Sequence, residues 1–233
     1  SLPPATVVGA RYLIAVLFLL PFGWRHTSPH EHEPPRRRDW IALFLVGALG
    51  SGLAALMFTR AIDLTSAGIA TSLSKTAPIF VAFFAYFTLK ERVTSARLLL
   101  VGLMVAADVL IGAGEMRAGT EVGQRLLGDG MAIGAGALRA MAEILSKTSL
   151  RRFYPSTVAL WRFGIGFAFT GIIAGISGEV GALRLLESRG WLLLLVLGIG
   201  CTSLSMTLYY RGLREVPAHV AVSLRLLSAI VTV

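Results

Sequence analysis

A few charged side chains lie deep inside long apolar stretches of this chain of 233 residues. Lys75 lies about ten residues into one stretch, and Arg225 lies about as deep in the last one. A charge inside a bilayer costs roughly 3 kcal/mol or more, so it requires a partner, a cavity or an escape to the interface. The two cations indicate a pocket for an anion such as a carboxylate or phosphate. Structural pairing with Asp108 or Glu143 is an equal alternative.

Small polar side chains lie beside the two cations, and a proline follows Lys75. Because Pro78 has no N–H, it removes one helical hydrogen bond and frees a backbone carbonyl near the lysine. The proline predicts a kink or hinge, although a proline that is simply tolerated in a membrane helix would look the same. The predicted binding set consists of Lys75, Arg225, Ser74, Pro78, Ser72 and Ser223.

Carboxylates in the apolar regions have two interpretations. Arg139, Glu143 and Lys147 follow one another at four-residue intervals and share one helix face, so Glu143 can neutralise either cation. This spacing favours an internal ion pair. A carboxyl group in a low-dielectric interior can also exchange protons near neutral pH, which leaves a proton relay through Glu143 or Asp108 open. The predicted coupling or ion-pair set is Glu143, Arg139 and Asp108.

Two further arginines, Arg11 and Arg162, lie about seven residues from the starts of their apolar stretches. From such a position a long side chain can extend its guanidinium group to the membrane surface. We therefore expect both arginines to reach the interface with water.

Composition identifies the elements that must position these residues. Hydrophobic residues make up 55% of the chain and charged residues 15%, with a mean hydropathy of +0.72. This composition excludes an ordinary soluble domain and intrinsic disorder, and the single Cys201 excludes an internal disulfide. The cations behind the net charge of +9 lie mainly at the ends of apolar stretches. We therefore expect a lipid bilayer as partner and no nucleic acid.

About eight apolar stretches are long enough to cross a bilayer, which requires about 20 residues per helix. They are too long and alternate too weakly for barrel strands, so we predict an all-α membrane protein. The predicted spans are Pro4–Trp24, Trp40–Thr59, Leu64–Leu89, Leu98–Gly114, Gly130–Ser146, Pro155–Ser177, Gly190–Tyr210 and Val216–Val233.

Lysine and arginine are divided unevenly between alternate connections. About twelve lie in one set of loops and about five in the other, and the positive-inside rule places the richer set in the cytoplasm. We accordingly expect a multi-pass protein of the cytoplasmic (inner) membrane. The predicted cytoplasmic loops are Arg25–Asp39, Lys90–Ser95, Lys147–Tyr154 and Arg211–Glu215.

The two halves of the chain match one another at a shift of about 151 residues. The matched pairs include Pro4 with Pro155, Arg11 with Arg162, Trp40 with Trp191, Gly47 with Gly198, and Arg60 with Arg211. Two complete repeats would have five helices each, ten in all, and we predict that this chain carries about eight of the ten. The first repeat is residues 1–114 with helices 2–5, and the second is residues 128–233 with helices 6–9. Because the number of helices per repeat is odd, the second repeat is inverted relative to the first.

The most distinctive pattern surrounds Pro78. The stretch Ala77-Pro78-Ile79-Phe80 is followed by Phe84-Ala85-Tyr86-Phe87 and then by Lys90-Glu91-Arg92-Val93-Thr94. It resembles the EamA-type members of the drug/metabolite transporter superfamily, which have ten helices in two repeats, a proline in the fourth helix and a Gly-Glu-Arg-hydrophobic-Thr turn. Lys90 replaces the usual glycine, and Lys75 and Arg225 add charges to central helices, which bears on the substrate.

The resemblance implies a secondary-active transporter that moves a small metabolite or drug-like solute by alternating access, driven by protons or by exchange. The alternatives are an intramembrane enzyme and a non-transporting helical scaffold subunit. The enzyme motifs HExxH and GxSxG do not occur in the sequence, and neither does the phosphate-binding loop GxxxxGK[ST]. We expect a small-molecule substrate, no catalytic residues, no cofactor and no metal, and a homodimer stays open. The histidines of residues 26–33 have no helix or strand to fix them around a metal.

Overall fold

Every regular element of the described chain is helical. The computed structural model describes residues 4–23, 35–89, 102–103, 106, 122–176, 178, 188–216 and 220–221. Two segments of the described chain are π-helical: the first π segment is Ala48–Leu53 and the second π segment is Leu197–Leu204. The α-helices are α1 (Pro4–Gly23), α2 (Arg37–Gly47), α3 (Ala54–Leu64), α4 (Ala67–Ser74), α5 (Ala77–Leu89), α6 (Val122–Ser149), α7 (Pro155–Ile176), α8 (Ser188–Val196) and α9 (Ser205–Glu215).

Five helical segments in the described part of the chain are long and apolar enough to cross a membrane. Two of them contain a π-helical segment, and a third contains the junction of α4 and α5. The prediction of an all-α membrane protein is thereby confirmed. The five segments are Thr6–Gly23, Arg37–Leu64, Ala67–Thr88, Pro155–Ile176 and Ser188–Glu215.

Polar residues set helix ends that hydropathy alone does not locate. The Asp39 carboxylate accepts a hydrogen bond of 2.8 Å from the backbone N–H of Arg36, so the second span begins at Arg37, before its apolar stretch. The Ser66 hydroxyl accepts one of 3.2 Å from the backbone N–H of Ile69 and caps the start of α4. Each bond satisfies a backbone donor that has no partner within its helix.

Three of the predicted spans do not correspond to any of these five segments. The span Gly130–Ser146 lies inside the longer helix α6, which is not among the five apolar segments. The spans Leu98–Gly114 and Val216–Val233 fall almost entirely outside the described residues.

The chain divides into two compact units, and each unit combines parts of both predicted repeats. Unit 1 comprises Ser1–Gly52 and Leu145–Glu215, and unit 2 comprises Leu53–Ile144 and Val216–Val233. Unit 2 packs α3, α4 and α6 around three fully buried alanines, Ala61, Ala70 and Ala132. Such small side chains let helix backbones approach closely, as they do in membrane proteins generally.

In unit 1 the repeat-equivalent helices α1 and α7 pack against each other and run antiparallel. The hydroxyl of Ser156, at the start of α7, donates to the carbonyl of Phe22, at the end of α1, at 3.0 Å. Tyr12 and Phe163 are equivalent in the repeat register, and their rings lie 5.4 Å apart. Equivalent residues touch each other only near a symmetry axis, so the predicted inversion of the second repeat is confirmed for this helix pair.

A second symmetric contact joins glycines to isoleucines in unit 1. A Cβ atom added at Gly47 would lie 2.6 Å from Cβ of Ile165, and one added at Gly198 would lie 2.6 Å from Cγ2 of Ile14. Both the glycines and the isoleucines are related by the shift of about 151 residues. The same close approach of backbone to side chain therefore occurs twice.

Candidate functional site

A break in a membrane helix lies at Lys75. Helix α4 ends at Ser74, Lys75 and Thr76 form a turn, and Pro78 is the second residue of α5. The backbone N–H of Lys75 bonds back to the carbonyls of Thr71 (3.2 Å) and Ser72 (3.1 Å), which tightens the last turn of α4. Pro78 has no N–H to offer the carbonyl of Ser74, four residues earlier. The helix is thus interrupted beside the proline, where the sequence predicts a kink.

The side chains at the break are mostly buried. Ser72, Ser74 and Pro78 are buried, and Lys75 is half-buried. The Ser74 hydroxyl donates to the carbonyl of Thr71 at 2.9 Å, and the Thr76 hydroxyl donates to that of Leu73 at 2.7 Å. These hydroxyls satisfy backbone carbonyls next to the break. The break therefore combines one ammonium group with several backbone and hydroxyl dipoles.

Helix α6 passes close to this break because it has a glycine there. A Cβ atom added at Gly136 would lie 3.0 Å from the carbonyl oxygen of Ser74 and 3.4 Å from Oγ1 of Thr76. Any larger residue at this position would push α6 away from the freed carbonyl.

The polar residues of α6 have distinct surroundings. The guanidinium carbon of Arg139 lies 4.7 Å from the ring centroid of Phe58, a cation–π contact. Glu143 is 3% exposed. Their predicted role as an ion pair or coupling set stays a prediction. The other predicted members of the two sets, Arg225, Ser223 and Asp108, lie outside the described residues.

A second polar site in unit 1 centres on Arg162, which is 6% exposed. Its Nη1 donates to the hydroxyl of Tyr210 at 2.7 Å, and its Nε donates to Oγ of Ser51 at 3.3 Å. The hydroxyls of Tyr210 and Ser146 share a hydrogen bond of 3.0 Å. We call these four buried residues the arginine network; it links α7, α9, the first π segment and the end of α6.

The expectation that Arg162 reaches the interface is wrong. Internal acceptors on Tyr210 and Ser51 replace water around its guanidinium group, so the side chain need not leave the interior. Arg11, the repeat equivalent, is half-buried and lies over the ring of Tyr12, with 5.6 Å from its guanidinium carbon to the ring centroid. The sequence offers no local signal for the network, because Tyr210 and Ser51 are 48 and 111 residues away from Arg162.

The π-helical segments occupy equivalent places in the two repeats. The shift of about 151 residues carries Ala48–Leu53 onto residues 199–204, the last six of the eight residues of Leu197–Leu204. In the second segment the hydroxyls of Thr202 and Ser203 donate to the carbonyls five residues earlier, at 2.8 Å and 2.7 Å. Turns of π-helix inside α-helices are frequent at functional sites. Here the first segment supplies Ser51 to the arginine network.

Described residues of three predicted cytoplasmic loops lie near one another at one end of unit 1. Asp39 and Arg152 form an ion pair of 3.6 Å. An open cavity of about 1130 Å³ at the same end is lined by residues that include Tyr154 and Arg211. Cation-rich segments gathered at one end fit the positive-inside assignment.

The apolar helices, the interrupted span and the buried polar sites define an all-α, multi-pass membrane protein. The model of the EamA-like transporter family matches residues 1–113 and 126–233, and the chain belongs to this family. The family consists of transporters and not of enzymes, which makes this protein a membrane transporter of small solutes.

Comparison with curated proteins yields no match. Among solved structures, one described only as "Crystal structure of protein" has a similar fold, with a TM-score of 0.72. The match covers 97% of this chain and 75% of the other chain at 15% identity. At this level of identity the likeness shows the fold alone.

Proposed function

We propose that the protein is a secondary-active transporter that moves a small anionic solute across the cytoplasmic membrane by alternating access. The observation that carries the proposal is the helix break at Lys75. Discontinuous helices form the substrate sites of many inverted-repeat transporters, because their free backbone groups and dipoles face the solute near the bilayer midplane.

The position of Lys75 supports an anionic substrate. Lys75 lies eight residues after Ala67, the start of its span, which places its backbone about 12 Å from that end of the helix. An ammonium group at such a depth in a span attracts a carboxylate or phosphate more strongly than it would in water, because the surroundings have a lower dielectric constant. In the repeat register Arg225 is equivalent to Ser74, so we assign it as the second cation of the site.

The buried carboxylate of Glu143 gives the mechanism a candidate for coupling. In a proton-driven form of the mechanism, Glu143 or Asp108 takes up a proton on one side of the membrane and releases it on the other. In an exchange form, Glu143 serves only as an ion-pair partner. A pH gradient across proteoliposomes distinguishes the two forms, because only the first responds to it.

The test is counterflow of labelled solute in proteoliposomes. A thermal-stability screen with amino acids, dicarboxylates and sugar phosphates first selects the ligands. We expect Lys75→Gln to lower transport of the selected anion at least tenfold, since it removes the charge, and Lys75→Arg to retain part of it. Arg60→Gln serves as the control, because Arg60 is exposed and pairs with Asp63 at 3.8 Å.

Unchanged transport by Lys75→Gln would contradict the proposed site. Ligands that stabilise the protein without any counterflow would favour the alternative of a non-transporting scaffold subunit.

A further inference from the structure

The cavity at the end of unit 1 has two kinds of lining, and we propose that it binds an anionic phospholipid. In this arrangement the phosphate lies against Arg211 and Arg214, and an acyl chain follows the apolar wall. The volume of about 1130 Å³ is far larger than a single small anion requires. The cavity includes neither Lys75 nor Pro78, so the proposal does not depend on the transport site.

The charged side of the cavity comes from one face of α9. Arg211 and Arg214 are three residues apart in the helix and therefore point in similar directions. Glu215 is the acidic residue that lines the same cavity, which leaves an excess of positive charge. The positive-inside rule assigns this end of the protein to the cytoplasmic leaflet, where anionic lipids lie.

The apolar side of the cavity comes from α1 and the second π segment. Phe18 and Phe22 lie one turn apart in α1 with their rings 5.8 Å from each other, and Leu204 also lines the cavity. Phe22 is 58% exposed and Leu204 is 51% exposed, and both belong to apolar segments suited to a bilayer. The protein therefore leaves apolar surface of these two side chains uncovered at the cavity. An acyl chain would cover these side chains, whereas a free phosphate would contact only the arginines.

Aromatic residues lie at and beside this cavity. Tyr154 lines the cavity directly, and its neighbour Phe153 packs against the ring of Trp40 at 5.2 Å. Tyrosine and tryptophan concentrate at the headgroup level of membranes. A phosphate held by Arg211 would thus lie at the depth at which lipid headgroups lie.

The test measures lipid binding to the purified full chain in detergent by native mass spectrometry. We expect phosphatidylglycerol to bind more tightly than phosphatidylcholine. The double variant Arg211→Gln/Arg214→Gln should weaken phosphatidylglycerol binding by about 25-fold, since each cation near the surface contributes about fivefold. Arg60→Gln should leave it unchanged. Arg60 is the repeat equivalent of Arg211, is exposed and does not line the cavity.

A second variant tests the shape of the cavity while its charges remain. Gly212 lines the cavity, and a Cβ atom added there meets nothing within 4 Å. Gly212→Trp should therefore fill the space and weaken phosphatidylglycerol binding without unfolding the helix. If the double arginine variant fails to fold, Gly212→Trp alone still tests whether the phospholipid binds in this cavity.

Any of four outcomes would overturn the proposal. Three of them are equal binding of the two lipids, unchanged binding by the folded double arginine variant, and unchanged binding by Gly212→Trp. Complete displacement of phosphatidylglycerol by millimolar inorganic phosphate would also reject it, because the site would then be a phosphate site with no contribution from the acyl chain.

Discussion

Replacement of Gly198 by alanine is expected to destabilise unit 1. The new Cβ atom would lie 2.6 Å from Cγ2 and 2.8 Å from Cβ of Ile14, and 3.2 Å from the carbonyl oxygen of Arg11. Carbon atoms in contact are normally about 3.5–4.0 Å apart, so α1 must recede by about 1 Å. Ile14 cannot relieve the clash by rotation, because its Cβ is attached directly to the backbone. Such overpacking costs about 1–3 kcal/mol.

Gly200→Ala is the matched control. Gly200 lies in the same π segment, and a Cβ atom added there meets nothing within 4 Å. Both substitutions gain the same helix propensity, about 1 kcal/mol for alanine over glycine. The difference between the two variants therefore reports the clash alone, and we expect it to be about 1–3 kcal/mol.

The assay is unfolding of the purified protein in detergent micelles, followed by intrinsic fluorescence. Gly47→Ala should behave like Gly198→Ala, because its Cβ atom would lie 2.6 Å from Cβ of Ile165. Equal stability of Gly198→Ala and Gly200→Ala would refute the reasoning, and a large loss for only one of Gly47→Ala and Gly198→Ala would show that the two contacts are not equivalent.

Two further outcomes are expected. Tyr210→Phe should lower the free energy of unfolding by about 1.5–3 kcal/mol in the same assay, because it keeps the ring but removes the acceptor of a charged donor, Arg162. Ser146→Ala should lower it less, because it removes only a bond between two hydroxyls. Unchanged stability of Tyr210→Phe would contradict the arginine network. In a Cys201→Ala background, an impermeant maleimide added to intact cells should label Arg60→Cys rapidly and Arg36→Cys slowly. Both positions are exposed, and they lie toward opposite ends of the span Arg37–Leu64, which the positive-inside rule assigns to opposite sides of the membrane. The reverse order of labelling would invert the topology.

The spans and the inversion could be predicted because both depend on signals that are distributed along the chain. Long apolar stretches determine which segments cross the membrane, and a shared register of Pro4 with Pro155 and Arg11 with Arg162 reveals the repeat. The ends of the helices could be predicted less well from the sequence, because Asp39 and Ser66 fix them through single hydrogen bonds to which hydropathy is insensitive.

The sites were predicted unevenly. Pro78 predicted the helix break beside Lys75 correctly, because the missing N–H is a property of the proline residue itself. The arginine network could not be anticipated, since depth along α7 says nothing about which face of the helix Arg162 occupies or which distant hydroxyls meet it. Tyr210 carried only a weak signal, as one hydroxyl-bearing aromatic within an apolar span.

The paired π segments also bear on the history of the gene. A π turn closes with an i→i+5 hydrogen bond and so holds one more residue than a turn of α-helix, which is the result that an insertion into a helix would have. Ala48–Leu53 and Leu197–Leu204 carry this extra residue at corresponding places. The simplest history places a single insertion in an ancestral half-length gene, before that gene was doubled. Afterwards the copies diverged: Ser51 came to bind an arginine of the other copy, while its repeat equivalent Thr202 bonds the carbonyl of Leu197 in its own segment.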